Sequence, residues 1–109
     1  MKELLLASDL YDKATTGEKN ITIRTGLRDF TPGDPIKLVD AEDDNQFIVR
    51  TVLDVLQTTA ARLPEEYQRA DGFTSKVEMV QLMRNYYPDF DLGSLITVIG
   101  WSVLPPLEF

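Results

Sequence analysis

Three polar side chains that could carry out chemistry lie close together near the start of the sequence. Lys19, Thr22 and Arg24 occur in the stretch GEKNITIR, residues 17–24. A threonine hydroxyl attacks a carbonyl carbon when a base removes its proton, and a neutral lysine amine can act as that base. An arginine beside them can hold a carbonyl oxygen or stabilise a developing oxyanion. These residue types fit the hydrolysis of an amide.

The composition excludes other kinds of chemistry. The 109-residue sequence contains neither cysteine nor histidine. Thiolate catalysis, zinc–thiolate sites and the Ser-His-Asp and Cys-His mechanisms are therefore excluded. Asp40, Glu42 and Asp44 alternate like the start of a calcium-binding loop, but Asn45 and Thr51 stand where such a loop needs glycine and glutamate. We predict no metal and no cofactor.

A lysine base requires an unusual environment. An ordinary lysine has a pKa of about 10.4 and is protonated at pH 7. Burial or a neighbouring cation lowers such a pKa, and Arg24 is a candidate for that cation. Lys19 and Thr22 are three positions apart, so they point to opposite faces of an ideal strand. A bend between Gly17 and Ile21 would bring them together; the alternative is a surface lysine before an ordinary half-exposed strand.

The surrounding pattern predicts an α+β domain. An apolar run at 3–7 is followed by predicted strands over 20–24, 35–40, 46–59 and 94–104, and by predicted helices over 9–16 and 75–87. Both alternating sets of positions are apolar in the third predicted strand. That pattern is typical of a strand buried on both faces, or of one that curves around a barrel. The last predicted strand has the same character.

The two predicted helices have recognisable ends. Ser8 and Ser75 are predicted N-caps, and Gly17 is a predicted C-cap. An apolar stripe along the second helix consists of Phe73, Val77, Val80 and Met83. The aromatic residues at and just beyond the end of this helix are interpreted as core residues rather than as platforms for a base. They are Tyr86, Tyr87 and Phe90.

Charge and length restrict the class of partner. The formal net charge is -7, and an acidic surface repels a phosphate backbone, so we expect no strong binding to long nucleic acid. No stretch approaches the roughly 20 apolar residues of a membrane span. The apolar run near the N-terminus is too short for a signal peptide. The sequence therefore predicts a soluble, cytoplasmic protein that does not bind membranes and takes a small-molecule ligand.

The order of the motifs resembles a known family. GEKNITIR is followed by PGDPIKLV, a long strand, DGFTSKVEMVQLMRNYYP and ITVIGW. This series resembles the ASCH domain, a small β-barrel related to the PUA fold, with a Gly-x-Lys-x-x-(Glu or Thr)-x-Arg signature beside a cleft. The resemblance implies one ASCH-like domain over residues 1–109. Its fold would be a small, curved, mostly antiparallel, PUA-like barrel with two main helices and a nucleoside-sized cleft.

The threonine form of the signature is similar to that of the bacterial N(4)-acetylcytidine amidohydrolases. By that resemblance, Lys19 would be the general base and Thr22 the nucleophile. The proton donor of those enzymes is a glutamate before the second long helix. The nearest match here is Asp71, whose side chain is one methylene shorter. Glu65 and Glu66 are alternatives further upstream.

Two arginines are predicted to bind the substrate. Arg24 shares a strand face with Thr22, and Arg50 interrupts an apolar strand, so it lies at the cleft or pairs with Asp54. We predict a protein that hydrolyses the amide of an acylated pyrimidine nucleoside such as N(4)-acetylcytidine. The alternative is a non-catalytic module that binds RNA or a modified nucleotide, and the sequence leaves both classes open.

Overall fold

The computed structural model describes residues 1–105, and over this range every predicted strand and both predicted helices are present. The elements are β1 (Lys2–Leu6), α1 (Ser8–Thr16), β2 (Ile21–Thr25), β3 (Pro35–Asp40), β4 (Asp43–Thr59), α2 (Glu65–Ala70), α3 (Lys76–Met83) and β5 (Leu95–Trp101). A short 3₁₀ helix, Ala60–Arg62, joins β4 to α2. The two main helices are α1 and α3, since α2 has only 6 residues. Residues 106–109, which the single-domain prediction includes, lie outside the described range.

The strands of the described range form one sheet in the order β1-β3-β4-β5-β2. β1 and β3 are parallel, with Lys2 beside Ile36 and Leu6 beside Asp40. β3 and β4 are antiparallel, and their register shifts between Val39 and Asp40. This sheet, together with the helices, confirms the predicted α+β class.

The chain divides into two compact units. The first unit contains Met1–Asn20, Phe30–Val55 and the described residues from Gly100 onward. Alternate residues of β1 are buried, as expected for a strand with one face on a core. The buried apolar residues of this unit are Leu4, Leu6, Tyr11, Ala14, Ile36, Leu38, Val39, Val52 and Trp101.

The second unit contains Ile21–Asp29 and Leu56–Ile99. Its core combines residues of β2, the 3₁₀ helix, α3 and β5, namely Ile21, Ile23, Ala60, Leu63, Met79, Val80, Phe90, Ile96 and Val98. Every residue of β5 from Ile96 to Ile99 is buried. Burial on both faces, predicted for this strand, is therefore confirmed.

The prediction that Ser8 caps α1 is wrong. Ser8 is the first residue of the helix, the N-cap is Ala7, and no side chain caps the N-terminus. The Ser8 hydroxyl is instead directed to Asp40, with 2.5 Å between Oγ and Oδ1. The C-terminal prediction is confirmed, because Gly17 has a left-handed φ of 85°, a conformation that glycine adopts without steric cost.

The second predicted helix is shorter than expected. The Ser75 cap is confirmed, since its hydroxyl accepts a hydrogen bond from Glu78 N–H at 3.1 Å. However, α3 ends at Met83 rather than near Tyr87. Val77 is 67% exposed, so its place in the predicted buried stripe is wrong.

Burial on both faces is wrong for β4. Val52 is buried, but Phe47 and Leu53 are exposed. An antiparallel sheet can keep one face in water, and that explains the second apolar set on this strand. Part of that set is covered by a charged side chain, because Lys37 Nζ lies 4.2 Å from the centre of the Phe47 ring.

Candidate active site

Thr22 and Arg24 lie on the same face of β2, as their spacing predicts. Arg24 Nε donates a hydrogen bond to Thr22 Oγ1 at 3.2 Å. Thr22 is buried, and Arg24 is half-buried. The second unit therefore places a guanidinium directly beside a buried hydroxyl.

Asp71 reaches the same strand from the end of α2. It is the C-cap of that helix, and its backbone N–H donates to Tyr67 O at 3.1 Å. Its Oδ2 accepts a hydrogen bond from the backbone N–H of Ile23, also at 3.1 Å. Ile23 separates Thr22 from Arg24 in the chain. The shorter aspartate side chain therefore does reach the strand that carries Thr22.

The Arg24 guanidinium lies in a mixed electrostatic environment. Burial, the largest effect, lowers the pKa of Arg24. The Asp71 carboxylate acts in the opposite direction, Arg28 lowers the pKa further and Tyr87 raises it. An arginine nevertheless keeps its proton at neutral pH. Arg24 therefore supplies a permanent positive charge next to the Thr22 hydroxyl, and both Asp71 and Tyr87 lie within electrostatic range of it.

Lys19 belongs to the first unit. The chain turns at Gly17, and the Lys19 backbone N–H donates to Lys13 O at 3.1 Å. Lys19 is only 7% exposed, so it is not an ordinary surface lysine. The predicted bend after α1 is present, and the predicted approach of Lys19 to Thr22 stays a prediction.

Arg50 lies in β4, in the part of that strand that belongs to the first unit, and is 6% exposed. One of its nitrogens, Nη1, donates to Val49 O at 2.9 Å. Its Nε is buried and has no hydrogen-bond partner within residues 1–105. Over the same residues Arg50 forms no ion pair, so the alternative of a pair with Asp54 is wrong. Its role in substrate binding stays a prediction.

Two carboxylates contact the Ser8 hydroxyl in the first unit, and the sequence pattern did not predict these contacts. Ser8 Oγ lies 2.5 Å from Asp40 Oδ1 and 2.9 Å from Glu42 Oε2. The hydrogen bond from the Ser8 hydroxyl has the largest effect on Asp40 and lowers its pKa. The hydrogen bond from the Glu42 N–H also lowers it. Burial and then Asp40 raise the pKa of Tyr11, while Arg50 lowers it. Ser8 and Asp40 are 32 positions apart, so no local signal could have paired them.

The two alternative proton donors lie in the first turn of α2. Glu65 forms an exposed ion pair with Arg69, with 2.6 Å between Oε1 and Nη2. Glu65 and Glu66 also suit the positive end of the helix dipole. Asp71 is the acid that hydrogen-bonds to β2, and it is therefore the better candidate for a role beside Thr22.

Within residues 1–105, no group of three or more acidic side chains is arranged to hold a metal ion. In the same range, no helix is both long and apolar enough to cross a bilayer.

Solved structures share this fold at low sequence identity. A serine-to-alanine mutant of the Zymomonas mobilis ASCH protein matches with a TM-score of 0.70 and 14% identity over 92% of this chain. A protein of Enterococcus faecalis V583 assigned to the family model DUF984 matches with a TM-score of 0.71 and 14% identity over 94%. The ASCH domain of Lactobacillus crispatus JV V101 matches with a TM-score of 0.70 and 11% identity over 93%. The chain has the ASCH fold.

The ASCH fold of this chain spans 66% of the Zymomonas chain, and 79% of each of the other two. No family model matches the sequence, and no curated protein matches it. At these identities the similarity defines the fold, and the roles of the site residues must be argued from their own chemistry.

Proposed function

We propose that this ASCH-fold protein hydrolyses the amide of an acylated pyrimidine nucleoside, with N(4)-acetylcytidine as the representative substrate. The observation that carries the proposal is the meeting of three groups at β2: the Thr22 hydroxyl, the Arg24 guanidinium and the Asp71 carboxylate. The signature from Gly17 to Arg24 supports it. These groups provide a nucleophile, a partner for an oxyanion and a proton donor.

In the first half of the reaction, Thr22 Oγ1 attacks the acyl carbon. The signature assigns removal of the hydroxyl proton to Lys19 as general base. Negative charge develops on the carbonyl oxygen, and the Arg24 guanidinium is already in place to stabilise it. The C–N bond then breaks as protonated Asp71 gives its proton to the leaving amine. The nucleoside leaves, and the acyl group remains as an ester on Thr22.

The second half reverses these roles. The Asp71 carboxylate takes a proton from water, and the resulting hydroxide attacks the ester carbon. The bond to Thr22 Oγ1 breaks, and protonated Lys19 returns a proton to that oxygen. The carboxylic acid leaves, and every group has recovered its starting protonation state.

Slow turnover is expected from the surroundings of Asp71. Proton donation by Asp71 competes with the hydrogen bond that its carboxyl accepts from the Ile23 N–H and with its interaction with Arg24. This argues for a weak amidase rather than a fast one.

The test is incubation of the purified protein with N(4)-acetylcytidine, followed by chromatographic separation of cytidine. The Thr22→Val variant is the control, because it keeps the side-chain shape and removes the hydroxyl. We expect the parent protein to release cytidine and acetate in equal amounts, and the variant to match the protein-free blank. Parent protein that binds cytidine but releases no product would instead favour the non-catalytic binding module.

A further inference from the structure

A pocket of about 510 Å³ lies in the second unit, beside the end of β2. Its walls are the end of β2, the segment that follows α3 and the start of β5. Small-molecule sites usually measure roughly 300–1,000 Å³, so the pocket has room for part or all of a nucleoside. Its lining includes Thr25, Tyr86, Tyr87 and Asp89.

Tyr87 connects this pocket to the candidate active site. Tyr87 lines the pocket and interacts electrostatically with Arg24, the residue that donates to Thr22. Thr25, which also lines the pocket, directly follows Arg24 in β2. The pocket therefore lies beside the residue that follows Arg24.

The link between Thr22 and the pocket runs through the Arg24 side chain. Thr25 is three positions after Thr22 and points to the opposite face of β2, whereas Arg24 shares the face of Thr22, donates to its hydroxyl and interacts with Tyr87 of the pocket. In an N(4)-acylated cytidine, the amide and the ribose are attached at opposite positions of the pyrimidine ring. When the amide is at Thr22, the ribose is a ring's length away, and we place it toward Tyr87 of the pocket.

The aromatic residues of the pocket are available to a ligand. The interpretation that all three aromatics after α3 are core residues holds for buried Phe90 and is wrong for the two tyrosines. Tyr86 is 80% exposed and Tyr87 is 46% exposed. An exposed ring offers a flat apolar face on which a base or the apolar side of a sugar can lie.

The charge of the lining distinguishes between ligands. Asp89 contributes a carboxylate, and the lining described within residues 1–105 includes neither lysine nor arginine. A carboxylate accepts hydrogen bonds from ribose hydroxyls and repels a phosphate group. Arg24 and Arg28 lie outside this lining, so the local charge at the sugar end comes from Asp89, and that end suits an uncharged sugar better than a phosphate.

We propose that this pocket binds the ribose end of the substrate, and that Asp89 makes the protein select a nucleoside over its 5′-monophosphate. This proposal rests on the proposed function, since it places the amide at Thr22. It assigns Tyr87 and Asp89 as specificity-determining residues outside the reacting groups.

The selectivity is tested by measuring kcat/KM for N(4)-acetylcytidine and for its 5′-monophosphate. We expect the parent protein to prefer the nucleoside, and Asp89→Asn to reduce that preference at least threefold. Added salt should also reduce it in the parent, because salt screens exposed charges. The matched control is Asp44→Asn, which makes the same charge change at an exposed position of the first unit. An unchanged preference in Asp89→Asn would overturn the proposal.

A second pair of variants tests the aromatic wall. Tyr87→Ala should raise KM for the nucleoside about tenfold with a smaller change in kcat, since stacking on an aromatic ring contributes to binding. Tyr87→Phe keeps the ring and should stay within about twofold of the parent. Equal KM values for the alanine variant and the parent would contradict the assignment of Tyr87.

Failure of the proposed function can be told apart from failure of this proposal. If no variant hydrolyses either substrate, calorimetric binding of cytidine and cytidine 5′-monophosphate replaces the kinetics. Tighter binding of cytidine, with a difference that Asp89→Asn reduces, would support the pocket proposal without the chemistry. Equal affinities, or no binding of cytidine, would overturn it.

Discussion

The backbone N–H of Ile23 donates a hydrogen bond to Asp71 Oδ2 at 3.1 Å, across 48 positions of the sequence. β2 is an edge strand of the sheet, and edge strands present backbone groups that can pair with another chain. The Asp71 side chain accepts a hydrogen bond from one of these backbone N–H groups, so that group is not open to another chain. Its carboxylate therefore has a structural role as well as the chemical role we propose for it.

The two roles of Asp71 can be separated by a pair of substitutions. Asp71→Asn keeps an oxygen that can accept from Ile23 N–H, so we expect stability close to that of the parent. It cannot donate a carboxyl proton, so kcat on N(4)-acetylcytidine should fall about a hundredfold. Asp71→Ala loses both functions and should also lower the free energy of unfolding by about 1–2 kcal/mol. Urea unfolding and steady-state kinetics measure the two effects.

Turnover by Asp71→Asn at the parental rate would show that Asp71 is not the acid. Glu65→Gln and Glu66→Gln would then be the next variants to measure. Asp71→Glu gives a further check, because it restores the residue type of the resembling enzymes. We expect it to keep more activity than the asparagine variant.

Arg24 is predicted to stabilise the oxyanion. Arg24→Met removes the charge and should lower kcat/KM about a hundredfold or more, as expected for the loss of an oxyanion partner. Arg24→Lys keeps a charge but loses the planar guanidinium whose Nε donates to Thr22, so its activity should be intermediate. A methionine variant with the kcat of the parent would remove Arg24 from the mechanism.

We predict that the buried Arg50 contributes to ligand binding and lowers the stability of the fold. Its guanidinium is buried, and its Nε lacks a hydrogen-bond partner within residues 1–105. A buried charge without an ion-pair partner carries an uncompensated desolvation cost, and even buried ion pairs can often be replaced by apolar side chains of similar volume without loss of stability. We expect Arg50→Met to raise the free energy of unfolding by about 1–3 kcal/mol and to weaken cytidine binding. Arg62 is exposed, so Arg62→Met is the control. Its free energy of unfolding should stay within about 0.5 kcal/mol of the parent value.

A destabilised Arg50→Met would mean that the native arginine has a compensating partner. Unchanged cytidine binding by a stabilised variant would instead remove Arg50 from the substrate site while leaving the burial argument intact.

The Ser8–Asp40 hydrogen bond should make part of the stability dependent on acid. The Ser8 hydroxyl holds the pKa of Asp40 below its ordinary value of 3.8. The contribution is therefore complete above pH 3.8 and is lost as the pH falls through the lower pKa of the folded state. We expect Ser8→Ala to be less stable than the parent near neutrality, with the difference shrinking in acid. Urea unfolding of both proteins from about pH 5.5 to about pH 2.5 measures this, because carboxylates that do not contact Ser8 contribute equally to the two proteins and cancel in the difference.

The matching control is Asp40→Asn, which cannot titrate. Its free energy of unfolding should depend less on pH in the acid range than that of the parent. A difference between Ser8→Ala and the parent that stays constant down to the lowest pH would contradict the assigned linkage.

Elements that depend on neighbouring residues could be predicted from the sequence. Pro35 opens β3 where a strand tolerates proline. Gly17 ends α1 in the left-handed conformation, and the Ser75–Glu78 spacing produces the expected cap of α3. In each case the deciding interactions lie within a few residues, so the local pattern contains the information.

Features that depend on distant residues could not be predicted in this way. Ser8 lies near the start of α1, where a capping residue is expected, but its hydroxyl hydrogen-bonds to Asp40 instead. The end of α3 at Met83 leaves Tyr87 lining a pocket rather than packed in the core. Only the family resemblance points to Asp71, because nothing in its own neighbourhood indicates that it reaches β2.

The central claim, that Thr22 attacks an acylated cytidine, is tested most directly by identifying the acyl-enzyme. Parent protein turning over N(4)-acetylcytidine is quenched in acid, digested and analysed by peptide mass spectrometry. Our account predicts one acetyl group on the peptide that contains Thr22, and a Thr22→Val variant that neither carries the group nor releases cytidine. Release of cytidine by Thr22→Val at the parental rate, with no acetyl group on Thr22 of the parent, would contradict it.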